Sequence, residues 1–335
     1  MQIHGMAAMQ PRTDLVPFIY DTNQLGPHDI LLRVSHCGIC HSDIHMIDND
    51  WQMSKYPLVP GHEVVGEVLE RGTEVRHLRT GDRVGVGWQR SSCLTCRDCL
   101  SGNENLCDQV KGVITHGHGG FAGHLVMDSR FCFLLPSGIE SGHAGPLMCG
   151  GITVYSALRH AGMTSGQRIG VIGVGGLGHM AVQFASRLGN HVVAFTTSHD
   201  KAELAHRLGA KEAVLVARED GPPPLSEPLD LIISTVPRNL EWNAYLGQLR
   251  SDGTLTFVGA VPEAISVAFW LLLAKRRRIM ASPIGGRAMI QEMLHVADRY
   301  NVRPMVETFP LNEVNRAIAR VRDNRIRFRA VLTVS

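Results

Sequence analysis

Long apolar runs are missing from this chain of 335 residues. Residues 1–17 hold no run of about 7–15 hydrophobic residues, and no later segment is long enough to cross a bilayer. Neither a secretory leader nor a membrane span is therefore expected. An excess of charge is missing too: 33 Lys and Arg stand against 31 Asp and Glu, a net charge of +2. So even a balance gives no reason to expect a nucleic-acid or membrane partner. There is no internal repeat. Spare cysteine is scarce as well, because six of the eight cysteines fall into two metal-site patterns. The remaining two, Cys37 and Cys132, read as packed thiols and not as a disulfide. Thiolate metal ligands need a reducing compartment, so the cytoplasm is expected.

The first pattern is C-x2-C-x2-C-x7-C at Cys93, Cys96, Cys99 and Cys107. Four thiolates so close in the chain can close a tetrahedron around one zinc ion, with no position left for water or substrate. Such a site is structural. An iron–sulfur run of the ferredoxin kind places its fourth Cys three residues on and follows it with Pro; here the gap is seven residues and Asp108 follows. The second pattern is dispersed: Cys40 in Cys40-His41-Ser42-Asp43, His62 in Gly61-His62-Glu63, and Cys149 before Gly150-Gly151. Two thiolates and one imidazole leave a fourth zinc position open, the composition of a catalytic site. Each residue alone is weak, since a lone Cys or His is more often core packing. Their company carries the reading.

Residues 168–173 read as a short apolar strand running into Gly173-Val174-Gly175-Gly176-Leu177-Gly178, with a helical pattern over residues 179–188 and a second strand over 191–196. That context makes G-x-G-x-x-G a dinucleotide fingerprint, with a pyrophosphate at the helix N-terminus and Gly173, Gly175, Gly176, Leu177 and Gly178 around it. NAD sites place an acid for the ribose 2′-hydroxyl at the end of the second strand. This chain has Thr197, Ser198 and Lys201 there, which suit the 2′-phosphate of NADP(H). Asp200 reads as the N-cap of the next helix.

The chain length fits two domains. Residues 1–150, with alternating runs at 29–34 and 64–69, read as a mostly antiparallel β domain carrying the metal lobe at about 90–108. Residues 151–286 alternate between strands and helices, with further strands over 230–234, 254–258 and 279–282 and helices over 202–208, 243–249 and 267–273. Helices near 289–300 and 313–322 follow. Residues 221–224 form a loop. The run Lys275-Arg276-Arg277-Arg278 reads as a solvated helix end, His116 and His118 as parts of a Gly-rich loop, and Trp51 and Trp270 as core residues.

With these segments in hand, the chain resembles the zinc-containing medium-chain alcohol dehydrogenases, within them the cinnamyl alcohol dehydrogenase-like NADPH-dependent aldehyde reductases. The match rests on Cys37-Gly-Ile-Cys-His-Ser-Asp-Ile-His45, Tyr56-Pro-Leu-Val-Pro-Gly-His-Glu63, the four-Cys lobe, Cys149-Gly-Gly-Ile-Thr-Val-Tyr155, the glycine motif and Ser282-Pro-Ile-Gly-Gly286. One departure is a shorter stretch between Cys107 and Gly119. The resemblance implies an α/β fold, a Rossmann-type doubly wound parallel sheet domain (151–286) plus a GroES-like catalytic domain to which residues 287–335 return. It implies hydride transfer between NADP(H) and aromatic or medium-chain aliphatic aldehydes or alcohols, two Zn2+ per chain, and a homodimer joined along the edge at 279–285. It further implies that Ser42 hydrogen-bonds the substrate oxygen and relays its proton through the cofactor ribose to His45. In this reading Asp43 orients His62, Glu63 assists the metal, His41 and Thr153 touch the cofactor, and Trp51 gains a place in the substrate pocket. Zinc-free quinone reductases and a redox sensor with a purely structural zinc are the alternatives; neither has a reason to carry Cys40, His62 and Cys149 together.

Overall fold

The computed structural model describes residues 1–22, 24–217 and 221–334. The chain divides into two compact units: Met1–Cys149 with Gly286–Asp298 and Pro304–Ser335, and Gly150–Gly285 with Arg299–Arg303.

In the first unit the long strand Asp29–Ile39 pairs antiparallel with Glu63–Arg71, with His124–Asp128 and with the C-terminal strand Arg329–Thr333. They belong to a seven-stranded sheet. Register shifts between Leu31 and Leu32 and between Val34 and His36 bend the long strand, because a residue added on one side of a ladder forces a local kink and extra twist. The buried faces of these strands, with Ile30, Leu32, Val34, Val64 and Val68, form the core of this unit with Phe121, Phe131 and Leu332. The strands are longer than the alternating runs at 29–34 and 64–69 suggest. Alternation stops where both faces become covered, as at Cys37, Gly38 and Ile39, all buried.

The second unit is built on a six-stranded, wholly parallel sheet, in the order Glu212–Leu215, His191–Thr196, Arg168–Ile172, Leu229–Ser234, Leu249–Phe257, Arg278–Ala281. Every residue of Arg168–Ile172 is buried, as a central parallel strand with both faces covered requires. The chain leaves this strand for one side of the sheet and later crosses to the other, so the carboxyl ends of Arg168–Ile172 and Leu229–Ser234 flank a switch point where nucleotides bind in such folds. Glu212–Leu215 escapes the pattern reading because it is short and at most half-buried.

Three local expectations are corrected. Ser198, not Asp200, caps the helix His199–Arg207: its hydroxyl accepts from the Lys201 N–H at 3.4 Å, and Asp200 sits one residue inside the first turn. Trp270 is 71% exposed, and Trp51 is exposed as well; the buried tryptophan is Trp242. The basic run is not uniformly solvated. Arg277 is buried and donates to the carbonyls of Leu249 and Gly247, satisfying carbonyls that would otherwise be orphaned.

Candidate active site

Cys40 closes the long strand and opens the helix His41–Asp48 as its N-cap. Three residues on, the Asp43 carboxylate turns back to accept the Cys40 N–H at 2.9 Å, half of a capping box. Its other oxygen accepts the Gly61 N–H at 3.0 Å and lies 2.8 Å from Nδ1 of His62. Gly61 has φ +102, a conformation only glycine adopts cheaply, and it aims His62 inward. Asp43 and His62 are wholly buried, so one carboxylate fixes the positions of two sequence-distant segments.

Cys149 arrives on a π-helical turn, Leu147–Gly151, an irregularity common where a side chain must be re-aimed. It brings Cys149 Sγ to 3.3 Å from His62 Nε2 and 3.9 Å from Cys40 Sγ. Zinc bonds of about 2.3 Å to sulfur and about 2.0–2.1 Å to nitrogen, at tetrahedral angles, put ligand atoms about 3.5–3.8 Å apart. The donor set fits zinc. The hydrogen bond from Cys149 drives the Cys40 thiol well down and its own thiol well up, although burial resists any thiolate here. Burial opposes charge on His62, but Asp43 overcomes it and raises the imidazole.

Glu63 offers an oxygen to the same group, with all candidate ligand atoms within 4.8 Å of one another. Its partner is Arg329 on the C-terminal strand, a buried ion pair between residues 266 positions apart. Burial pushes the Glu63 carboxyl up to about 7 against the pull of Arg329. Above the ligands, the rings of His45, Trp51, Trp88 and His62 follow one another at 5.2, 6.2 and 5.1 Å. Ser42 Oγ is 3.7 Å from Cys40 Sγ, and His45 shows its Nδ1 to Asp50 at 2.8 Å.

In the lobe, Cys93 Sγ lies 3.8 Å from Cys99 Sγ and 3.6 Å from Cys107 Sγ, and Cys96 completes the group. The N–H groups of Thr95 and Cys96 donate to the Cys93 sulfur and hold its thiol down at about 6. These separations also fit tetrahedral zinc. His116 and His118 join neither group; His118 packs on Tyr20 at 3.9 Å.

In the second unit the glycine run leads from Arg168–Ile172 into the helix Gly178–Arg187. A Cβ on Gly178 would strike the Gly173 carbonyl, whereas one on Gly175 would meet nothing and would fill the space where a pyrophosphate must approach the backbone. Thr197 and Lys201 line a cavity of about 110 Å³ with Gly173, Val174 and Arg238. Ser198 accepts the Lys201 N–H as its helix cap and keeps its own O–H to donate. His41 is exposed on the first unit, and Thr153 is buried in the helix Ile152–His160 of the second.

Residues 26–137 match the alcohol dehydrogenase GroES-like domain and residues 176–299 the zinc-binding dehydrogenase domain. An aldehyde reductase of Synechocystis sp. is 41% identical over 333 residues, 99% of each chain. The chain belongs to the zinc-binding alcohol dehydrogenase family. It is an oxidoreductase of the medium-chain fold, with a GroES-like and a Rossmann-like part. A probable cinnamyl alcohol dehydrogenase of Eucalyptus globulus is 40% identical, covering 98% of this chain and 95% of that one. Among solved structures, CAD from Helicobacter pylori complexed with NADP(H) has a TM-score of 0.91 at 30% identity, covering 99% of this chain and 98% of that one.

Pattern reading missed Arg329, Asp50 and Trp88 in this enzyme. Only Arg329 carried a signal: an arginine in an otherwise apolar strand needs a buried partner.

Proposed function

We propose that this enzyme is an NADPH-dependent aldehyde reductase and alcohol dehydrogenase for aromatic or medium-chain aliphatic aldehydes. It would hold one zinc ion at Cys40, His62 and Cys149 and another at the four-Cys lobe. The observation that carries the proposal is the convergence of two thiolates and one imidazole, with the nearby Glu63 paired to Arg329, so that a fourth zinc position is open to substrate in this reading. Zinc bound there supplies a Lewis acid for the reacting oxygen. The names of the relatives support the substrate class, and the indole rings of Trp51 and Trp88 offer it an apolar wall. Steady-state rates with an aldehyde panel and both nicotinamide cofactors test the proposal; no reduction of any aldehyde would end it.

Around that position the chain's own residues divide the work. The Ser42 hydroxyl, in the first turn of the site helix beside Cys40, gives its proton to the substrate oxygen. His45, one turn on, restores it: with Nδ1 donating to Asp50, the Nε2 lone pair is left free to carry a proton. In this reading Asp43 positions His62, and Glu63 tunes the field at the ligands. His45→Gln should lower kcat about 10-fold to 100-fold and flatten its pH dependence, whereas Ser42→Ala should cost more. An unchanged rate and pH profile in His45→Gln would leave bulk solvent as the proton source.

For the cofactor, Thr197, Ser198 and Lys201 grip the 2′-phosphate. Charge-assisted hydrogen bonds contribute about 1.5–3 kcal/mol, so NADPH should exceed NADH in kcat/KM by about tenfold or more. Thr197→Asp should reverse the preference by repulsion. Equal use of both cofactors by the unmodified enzyme would refute the assignment.

Arg278–Ala281 has one neighbour in its sheet, and Phe269, Trp270 and Leu273 on the preceding helix are exposed. An open, partly apolar edge of this kind suits pairing with a second copy, giving a homodimer. A single-chain mass by light scattering would refute it. None of the eight cysteines is in a disulfide, in keeping with a reducing, cytoplasmic setting.

A further inference from the structure

Past Ser234 the chain turns along the carboxyl end of the sheet. The Thr235 hydroxyl donates to the Ile172 carbonyl at 2.9 Å, and Val236 covers Gly173 so closely that a Cβ on that glycine would lie 2.7 Å from Val236 Cγ1. This pins the segment across the switch point. Val236, Arg238 and Leu240 therefore line the same cavity as Thr196, Thr197 and Lys201, which lie at the end of the strand on the other side of Arg168–Ile172 and on the helix after it. Among the described residues two cations line that cavity, Lys201 and Arg238, and no carboxylate does.

Several arginines around this sheet are occupied. Arg168 forks onto Glu212 at 2.7 and 2.9 Å, Arg276 onto Asp252 at 2.9 and 2.8 Å, and Arg250 pairs with Asp230. Arg277 is held by backbone carbonyls. Arg238 is exposed and has no hydrogen-bond or ion-pair partner among the described residues; its charge is felt by the Tyr245 phenol in the same cavity. Two like charges facing one cavity repel until an anion enters. A guanidinium presents a planar fork of donors that matches a phosphate, which lysine, as a point charge, does not.

We propose that Arg238 is a specificity-determining residue that closes on the 2′-phosphate of the cofactor from the side opposite Thr197 and Lys201. The proposal rests on the NADP(H) reading above. Arg238 commits the site to a dianionic monoester, of charge about −1.5 to −2 at neutral pH. The contrasting role for an arginine in this position is stacking on the adenine ring, which draws on its planar face and is indifferent to the 2′-substituent.

Calorimetric titration of the full chain with adenosine 2′,5′-bisphosphate and with adenosine 5′-monophosphate separates the two without any turnover. Arg238→Gln should weaken the bisphosphate about tenfold or more and leave the monophosphate unchanged. Arg238→Lys should restore part of the loss. An equal weakening of both ligands would assign Arg238 to the adenine and overturn the proposal. A preference for the bisphosphate that survives in Arg238→Gln would overturn it while sparing the NADP(H) reading. Equal binding of the two ligands by the unmodified protein would remove both. Because Arg238 is exposed and has no partner among the described residues, the thermal unfolding of the variants should match that of the parent, which keeps a binding loss from being read as misfolding.

Discussion

Cys40→Ala should abolish nearly all turnover and lower the zinc content from two ions per chain to one, with the fold retained. A Lewis acid contributes several kcal/mol to stabilising the reacting oxygen, and about 4 kcal/mol corresponds to a rate loss of about a thousandfold. The fold should survive because Cys40 serves its helix through its backbone N–H, which donates to Asp43 and which alanine keeps. Asp43 would still hold the Gly61 N–H and His62. Cys99→Ala should behave in the opposite way. The lobe has only the short pairing of Gln89–Ser91 with Lys111–Gly112 and two short helical turns, Arg97–Leu100 and Glu104–Leu106, so the thiolates replace a core, and losing one couples metal loss to local unfolding. Stability and protease resistance should fall more than activity. Elemental analysis, kcat and thermal unfolding of the two variants together decide the matter. A Cys40→Ala enzyme that kept two zinc ions and its rate would refute the assignment of the open site.

Arg329→Met should destabilise the protein by about 3–5 kcal/mol, the usual cost of removing one partner of a buried ion pair. Glu63 is wholly buried, and its Oε2 has no hydrogen bond among the described residues, so without Arg329 an uncompensated charge is left in the interior. The exposed pair of Arg33 with Glu67 at 2.7 Å should by contrast be worth about 0–1 kcal/mol. The pH dependence has a definite sign. Burial already holds the Glu63 carboxyl at about 7, above its ordinary 4.5, and losing Arg329 removes the main opposing pull. The ionised form is then penalised further, so the deficit relative to the parent should grow as pH rises above about 7, where the parent's carboxyl ionises, and shrink below it, where the carboxyl is neutral in both folded proteins. Urea unfolding at two pH values measures it, and Glu63→Gln added to Arg329→Met should recover much of the loss. A loss below about 1 kcal/mol would mean that the pair is no more than a surface bridge in its energetics.

The sequence alone determined what is local. Cys93, Cys96, Cys99 and Cys107 lie in one short loop, and the glycines from Gly173 to Gly178 lie between one strand and one helix, so backbone geometry within a few residues fixes their chemistry. The same locality made Cys40, Ser42, Asp43 and His45 readable as one turn of helix. Tertiary structure decided the meetings between distant segments. Arg329 reaches Glu63 only because the C-terminal strand pairs beside the end of Asp29–Ile39, with Ala330 opposite Ile39. Arg238 faces Lys201 across a cavity only because the strands before them flank Arg168–Ile172. Neither partner is marked by spacing. Exposure was equally out of reach: Trp242 and Trp270 are the same residue type beside similar apolar neighbours, yet one is buried and the other 71% exposed. The hydrophobic drive is set by residue type, but which side chains it covers depends on where the other elements pack.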